Sequence, residues 1–156
     1  MKKTELSQHF DKNLFLPDMK ATTKEEALEE LLELFVEQNY IKNKKIVLDM
    51  LNQRETLGST GVGNGIAIPH GRTTATGDVL IAFGKNDQGI DFDAIDEKPV
   101  KLFFMVIAPP HDEGNVYLPV LGSLVTILND EEKREQLLGV STFEELLSII
   151  KGDQEE

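Results

Sequence analysis

The chain has 156 residues, 40% hydrophobic and 28% charged, which suits one domain with a real core over residues 1–156 and argues against a large disordered region. Its 16 basic and 28 acidic residues leave a net charge of -12, a surface that repels nucleic acid and anionic lipid and points to a small-molecule or protein partner. With no cysteine, no apolar run near the roughly 20 residues of a membrane span and no signal-peptide core at the start, a cytoplasmic protein without membrane insertion is expected.

Residues 1–21 are mixed, and Phe10 to Leu16 read as a short amphipathic turn followed by an extended piece ending at Pro17. The first clear helix begins near Thr23. Thr23 and Glu26 have capping-box spacing, and Leu28, Leu31, Leu32 and Phe35 fall on one face. A second helix is predicted over about 44–55, with Ile46, Val47, Met50 and Leu51 inward, Arg54 and Glu55 in its last turn and Gly58 as its stop signal. Four glycines between Gly58 and Gly65 rule out a stable helix and let backbone N–H groups approach a ligand. Ile66-Ala67-Ile68 reads as a short strand, because Pro69 keeps Ile68 extended.

Strands are predicted over 79–83 and 100–107, with an edge segment at Ile90-Asp91-Phe92. The run over 100–107 is apolar almost throughout, as a central strand covered on both faces would be. A third helix over about 115–128 is expected to bury Leu118, Leu121, Val125 and Leu128, with Pro119 tolerated in its first turn. Asp130 opens a short helix that stops at Gly139. Ser141 and Glu144 have capping-box spacing ahead of Phe143, Leu146, Leu147 and Ile150, and the tail after Gly152 is polar. There is no internal repeat, low-complexity segment or linker. The fold class is α/β: a three-layer α/β/α sandwich with a mixed central sheet of about five strands.

Residues 54–72 collect the groups that phosphoryl transfer uses. His70 offers an imidazole, a nucleophile at neutral pH. A phosphoryl group in transfer spreads charge over three oxygens and needs donors rather than covalent machinery. Gly61, Gly63 and Gly65 can present N–H groups, Ser59 and Thr60 hydroxyls, and Arg54 a fixed cation suited to phosphate. Each feature alone is weak, since a lone histidine is more often structural or merely exposed. No lysine follows the glycines as a P-loop requires, the dinucleotide fingerprint is absent, and Leu57 stands where a nucleophile elbow needs glycine. His9, His70 and His111 are scattered without zinc-ligand spacing, so no metal is expected.

As a set, Arg54-Glu55 and Ser59-Thr60-Gly61-Val62-Gly63-Asn64-Gly65-Ile66-Ala67-Ile68-Pro69-His70-Gly71 resemble a known signature. It is that of the enzyme IIA domains of the mannitol/fructose type (EIIA type 2) in the bacterial phosphoenolpyruvate-dependent sugar phosphotransferase system. Gly89-Ile90-Asp91-Phe92-Asp93-Ala94, Pro99-Val100-Lys101-Leu102-Phe103 and residues 118–128 also fall where that family's pattern puts them, so the resemblance spans about residues 10–150. It implies a histidine phosphocarrier, a phosphotransferase in which His70 accepts phosphate on Nε2 from the phosphocarrier HPr. His70 would then donate it to the cysteine of an enzyme IIB domain, with Arg54 beside the phosphohistidine and no cofactor or metal. Because this chain has no cysteine, the IIB function would belong to another polypeptide.

The family often carries a second histidine just before a leucine, at the start of the helix after the central strand. Here Tyr117 stands before Leu118; a tyrosine can donate a hydrogen bond but cannot carry positive charge at neutral pH. His111, in the Pro-Pro-His-Asp turn, is the other candidate, against its plainer reading as a solvent-facing loop residue. His9 reads as a surface residue without a role. The alternative function is a regulatory IIA-like protein of the nitrogen-related branch, in which phosphorylation of His70 controls partner binding. A third, a binding module that kept the fold without phosphorylation, is opposed by the intact Arg54 and His70.

Overall fold

The structure, a computed structural model, describes residues 2–112 and 114–152, so the polar tail expected after Gly152 lies outside the described residues. The apolar run near residue 100 organises the fold. It forms β6 (Val100–Ala108), in which every residue except Lys101 is buried. Because side chains alternate along a strand, Leu102, Phe104, Val106 and Ala108 enter one core and Phe103, Met105 and Ile107 the other. The central strand covered on both faces is as expected.

Along one edge of β6 runs β5 (Leu80–Ile90), antiparallel, with β1 (Phe10–Leu16) parallel beyond it. Along the other edge lie two short strands end to end. β3 (Ile66–Ala67) pairs with Leu102 and Phe103, and β4 (His70–Arg72) with Val106, Ile107 and Ala108, both parallel. Outermost is β2 (Gly61–Gly63), antiparallel to β3. Ile68 and Pro69 separate β3 from β4: Pro69 has no N–H to give the ladder, yet its carbonyl accepts from Val106 N at 2.9 Å and pairing resumes at His70.

α1 (Lys3–Ser7), α4 (Tyr117–Leu128), α5 (Glu131–Leu138) and α6 (Phe143–Lys151) cover one face of the sheet. α2 (Lys24–Glu37) and α3 (Lys44–Thr56) cover the other. The result is the expected α/β/α sandwich and mixed sheet, with six strands where about five were predicted. The differences have local causes. In β1 only Phe10 and Leu14 are buried, four apart, which imitates helical spacing over what is a strand. β2 is mostly glycine, and turns into β3 through Asn64 and Gly65, with φ of 58° and 78°, both left-handed as a two-residue hairpin turn of this kind demands. Ile90 ends β5 rather than opening a separate edge segment.

Three helix details also differ. Ile46 is exposed, and α3 packs instead on Val47 and Leu51 with Met50 half-buried. α4 buries Tyr117, Val120, Leu124, Ile127 and Leu128, leaving Leu118 67% exposed and Val125 also exposed; the helix is apolar nearly all round, so its sequence period could not choose a face. α6 is capped by Thr142 in a reciprocal capping box with Glu145, one residue later than Ser141 and Glu144, because Thr142 is the residue in the extended conformation. At α2 Thr23 accepts from Glu26 N as expected, while the Glu26 carboxylate turns to the Thr22 N–H and hydroxyl. His9 is half-buried rather than free on the surface, its Nδ1 3.0 Å from the Val79 carbonyl. Among the described residues no helix is long and apolar enough to cross a membrane.

Candidate active site

His70 opens β4 immediately after the Pro69 break. Its register partner is Val106, whose side chain enters the core beneath α4, so His70 projects toward the same side. Gly71 faces the other way, toward α3, and lies so close that a Cβ there would stand 2.0 Å from Met50 Sδ. β4 is thus clamped between α3 and the first turn of α4.

The imidazole of His70 is half-buried, and its Nδ1 lies 2.7 Å from the Ile68 carbonyl oxygen. A carbonyl can only accept, so this bond requires the proton on Nδ1 and leaves the Nε2 lone pair free. Across from it stands Tyr117, ring centroids 6.4 Å apart and planes tilted by 56°. Tyr117 is 6% exposed. Its main-chain N–H donates to a carboxylate oxygen of Asp112 at 2.6 Å, and Val116 N donates to the same oxygen. Asp112 therefore does for α4 what a capping residue does, fixing the turn that carries Tyr117.

Two arginines converge on this ring. Arg72, two residues beyond His70 and so on the same face of the strand, holds its guanidinium carbon 4.7 Å from the Tyr117 centroid and donates from Nη1 to the Pro110 carbonyl at 3.0 Å. Arg54 arrives from the last turn of α3 and donates from Nη1 to the Gly58 carbonyl at 2.9 Å. Burial pushes the Tyr117 hydroxyl above its usual pKa, while the positive charges of Arg72 and Arg54 pull it part of the way back. Tyr117 accordingly stays a neutral hydroxyl, with Arg72 over its ring.

The segment from Ser59 to Gly65 is held by its own polar groups. Ser59 Oγ donates to the Phe92 carbonyl at 2.8 Å and accepts from Gly61 N at 3.0 Å. Thr60 gives its N–H to Glu55 Oε1 at 3.0 Å and its hydroxyl to Glu55 Oε2. Glu55 in turn pairs with Lys24 Nζ at 3.0 Å, side chains 6% and 12% exposed. Gly61 sits against Ala94, where an added Cβ would come within 2.9 Å. Gly63 pairs across the hairpin with Ile66, and the Gly65 carbonyl accepts from Lys101 and Leu102 N–H groups. In this arrangement the hydroxyls of Ser59 and Thr60 fix the loop beside Arg54.

His70 and Tyr117 are thus brought together, while Arg54 is held at the end of α3 by the Gly58 carbonyl; His111 is exposed on the loop after β6, with no hydrogen bond or ring contact to His70 among the described residues. Arg72, Lys24 and Asp112 carried no role in the sequence, and Glu55 entered only as part of the signature. The strand period of two from His70 was a signal for Arg72, whereas nothing in the spacing joins Lys24 to Glu55. No group of three or more His, Cys, Asp or Glu placed to hold a metal occurs among the described residues. What the arrangement offers is a half-buried imidazole with one lone pair uncommitted, beside a tyrosine that carries a stacked arginine.

Comparison with known proteins gives this arrangement a lineage. Residues 8–153 match the family described as phosphoenolpyruvate-dependent sugar phosphotransferase system, EIIA 2. The chain is 40% identical over 128 residues to the fructose-specific EIIA component of the phosphotransferase system from Haloferax volcanii, covering 82% of each chain. The crystal structure of nitrogen regulatory protein IIA-Ntr from Neisseria meningitidis superposes with a TM-score of 0.85 at 33% identity, over 94% of this chain and 99% of that one. The mannitol enzyme IIA of Escherichia coli, solved in complex with phosphorylated mannitol enzyme IIB, gives 0.75 at 25% identity, over 90% and 97%. With nearly its whole length accounted for, the chain belongs to the EIIA 2 family of the phosphoenolpyruvate-dependent sugar phosphotransferase system, a family of phosphotransfer proteins.

Proposed function

We propose that this chain is a histidine phosphocarrier of the sugar phosphotransferase system, taking a phosphoryl group from phosphorylated HPr on Nε2 of His70 and passing it to a separate enzyme IIB. The observation that carries this reading is the 2.7 Å bond from His70 Nδ1 to the Ile68 carbonyl. It leaves the lone pair of the other nitrogen, Nε2, uncommitted. When Nε2 forms its bond to phosphorus, the bond to the donor's nitrogen breaks and its electron pair stays on the donor. The positive charge that develops on the ring is shared through Nδ1–H with the Ile68 carbonyl. In the onward step a thiolate of IIB attacks phosphorus and the pair returns to Nε2. No proton need move at His70 in either direction.

Arg54 supplies a fixed cation for the phosphoryl oxygens, next to the loop of Ser59, Thr60, Gly61, Gly63 and Gly65, in which the Thr60 and Gly61 N–H groups are already given to Glu55 and Ser59. Tyr117 is the neutral neighbour across the ring, and His111 is left outside. The complex of phosphorylated IIB with a structurally similar IIA supports IIB as the acceptor. HPr as donor and the cytoplasm as the place follow from the same system. Likeness to a nitrogen regulatory IIA at a TM-score of 0.85 favours a second reading, in which the phosphorylation state of His70 sets binding to a regulated protein.

Incubation with phosphoenolpyruvate, enzyme I and HPr tests the first step. An acid-labile, alkali-stable phosphate is expected on the wild type and absent from His70→Ala. Adding a fructose- or mannitol-type IIB should then strip the label within the time of the donor reaction. A wild type that never takes phosphate contradicts the relay; one that takes it but keeps it against such IIB domains speaks for the regulatory reading.

A further inference from the structure

A phosphoryl group on Nε2 would bring about two negative charges at neutral pH into a chain whose net charge is already -12. The ring that His70 faces contributes no compensating charge, since Tyr117 is a buried, neutral hydroxyl. The imidazolium formed on His70 offsets one of those charges, so the cations for the rest must come from outside that pair. Arg54 is one. We infer that Arg72 is a second phosphoryl-binding residue of this site, held ready by stacking on Tyr117.

The inference rests on His70 as the acceptor and adds a role to that reading. Three observations carry it. Arg72 shares a strand face with His70, two positions along β4. Its guanidinium lies over the Tyr117 ring at 4.7 Å, and that same ring stands 6.4 Å from the imidazole, so Tyr117 spans the gap between nucleophile and cation. Among the described residues its Nη1 is engaged by Pro110 O; Arg72 is exposed, and a guanidinium has five N–H donors in a fixed fork, which leaves donors for a phosphate without breaking the stack.

In transfer Arg72 forms no covalent bond and gives up no proton. It binds the three oxygens over which the charge is spread as the donor's P–N bond breaks and the Nε2–P bond forms. Two always-charged guanidiniums also mean that compensation does not fade across the neutral range, as it would with a titrating side chain.

A plainer role for Arg72 is a staple joining β4, Tyr117 and the Pro110 loop, and the choice of variants separates the two. Arg72→Met keeps an apolar stem over the ring and removes the charge; Arg72→Lys keeps the charge as a point without the fork. Lys45→Gln, an equal loss of charge on the surface of α3, serves as the control. Phosphorylation by phosphorylated HPr is followed for each at fixed ionic strength, alongside thermal unfolding. Arg72→Met is expected to lower kcat/KM about tenfold or more, the scale of one charge-assisted hydrogen bond, with Arg72→Lys intermediate and Lys45→Gln unchanged. A wild-type rate in Arg72→Met, or a loss in Arg72→Lys as deep as in Arg72→Met, would overturn the inference while leaving His70 as acceptor intact. A wild type that takes no phosphate overturns both, and is seen before any variant is compared.

Discussion

The contact between Gly71 and Met50 couples the strand that carries His70 to the helix that carries Arg54, and it can be broken by one methyl group. A Cβ on Gly71 would lie 2.0 Å from Met50 Sδ and 2.8 Å from its Cε, against roughly 3.5–4 Å for ordinary contact. Something must therefore move by about 1.5 Å or more. Gly71 is not among the residues with positive φ, so its backbone suits alanine and the cost is purely one of space. Overpacking of this kind costs about 1–3 kcal/mol; the half-buried Met50 can swing partly aside, which favours the lower end.

Met50→Ala vacates that space. In its background Gly71→Ala should lose its penalty and gain about 0.5 kcal/mol from the stiffer unfolded chain. The substitution thus changes sign between the two backgrounds. Urea unfolding of the four proteins of the cycle measures this directly. An equal cost of Gly71→Ala with and without Met50 would refute the steric reasoning. Phosphorylation of His70 should also slow in Gly71→Ala and recover in the double variant, because displaced Met50 pushes α3, and Arg54 with it, off the strand.

Glu55→Gln should destabilise the protein by about 1–3 kcal/mol, since it leaves the nearly buried Lys24 ammonium with the 3.9 Å pairing to exposed Asp93 in place of its 3.0 Å partner; combining it with Lys24→Met should recover most of that in chemical denaturation. Glu145 is held below the usual carboxylate range first by the N–H groups of Ser141 and Thr142, then by the Ser141 hydroxyl. A folded value below the unfolded one means that its contribution is full above the unfolded value and is lost as pH falls through the folded one. Glu145→Gln should therefore lower the thermal midpoint at pH 7, and the difference should shrink as pH falls through the lowered folded value; an effect independent of pH would contradict the capping-box account.

Much of the fold was legible because its strongest signals are hydrophobic. The run that became β6 could only be a central strand, and Thr23, Asp130 and Gly139 mark helix ends through side-chain chemistry that needs no tertiary partner. What escaped depends on neighbours far along the chain. β1 buries Phe10 and Leu14 only because β5 and the helices are there to receive them. The buried face of α4 was set by the sheet, not by its own near-uniform apolarity. At the site, His70 and Arg54 were readable from the signature, whereas Asp112 and the Lys24–Glu55 pair act through a helix end and a buried contact that spacing does not encode. The Nδ1 bond to Ile68 is local, two residues apart, but depends on the chain turning at Pro69.

That bond is the pivot of the account, and it commits the chemistry to one atom. The most direct test is nitrogen NMR of the phosphorylated protein with its histidines labelled. The phosphate is predicted on Nε2 of His70, with Nδ1 still protonated and hydrogen-bonded. Phosphate on Nδ1 of His70, or on any other residue, would contradict it.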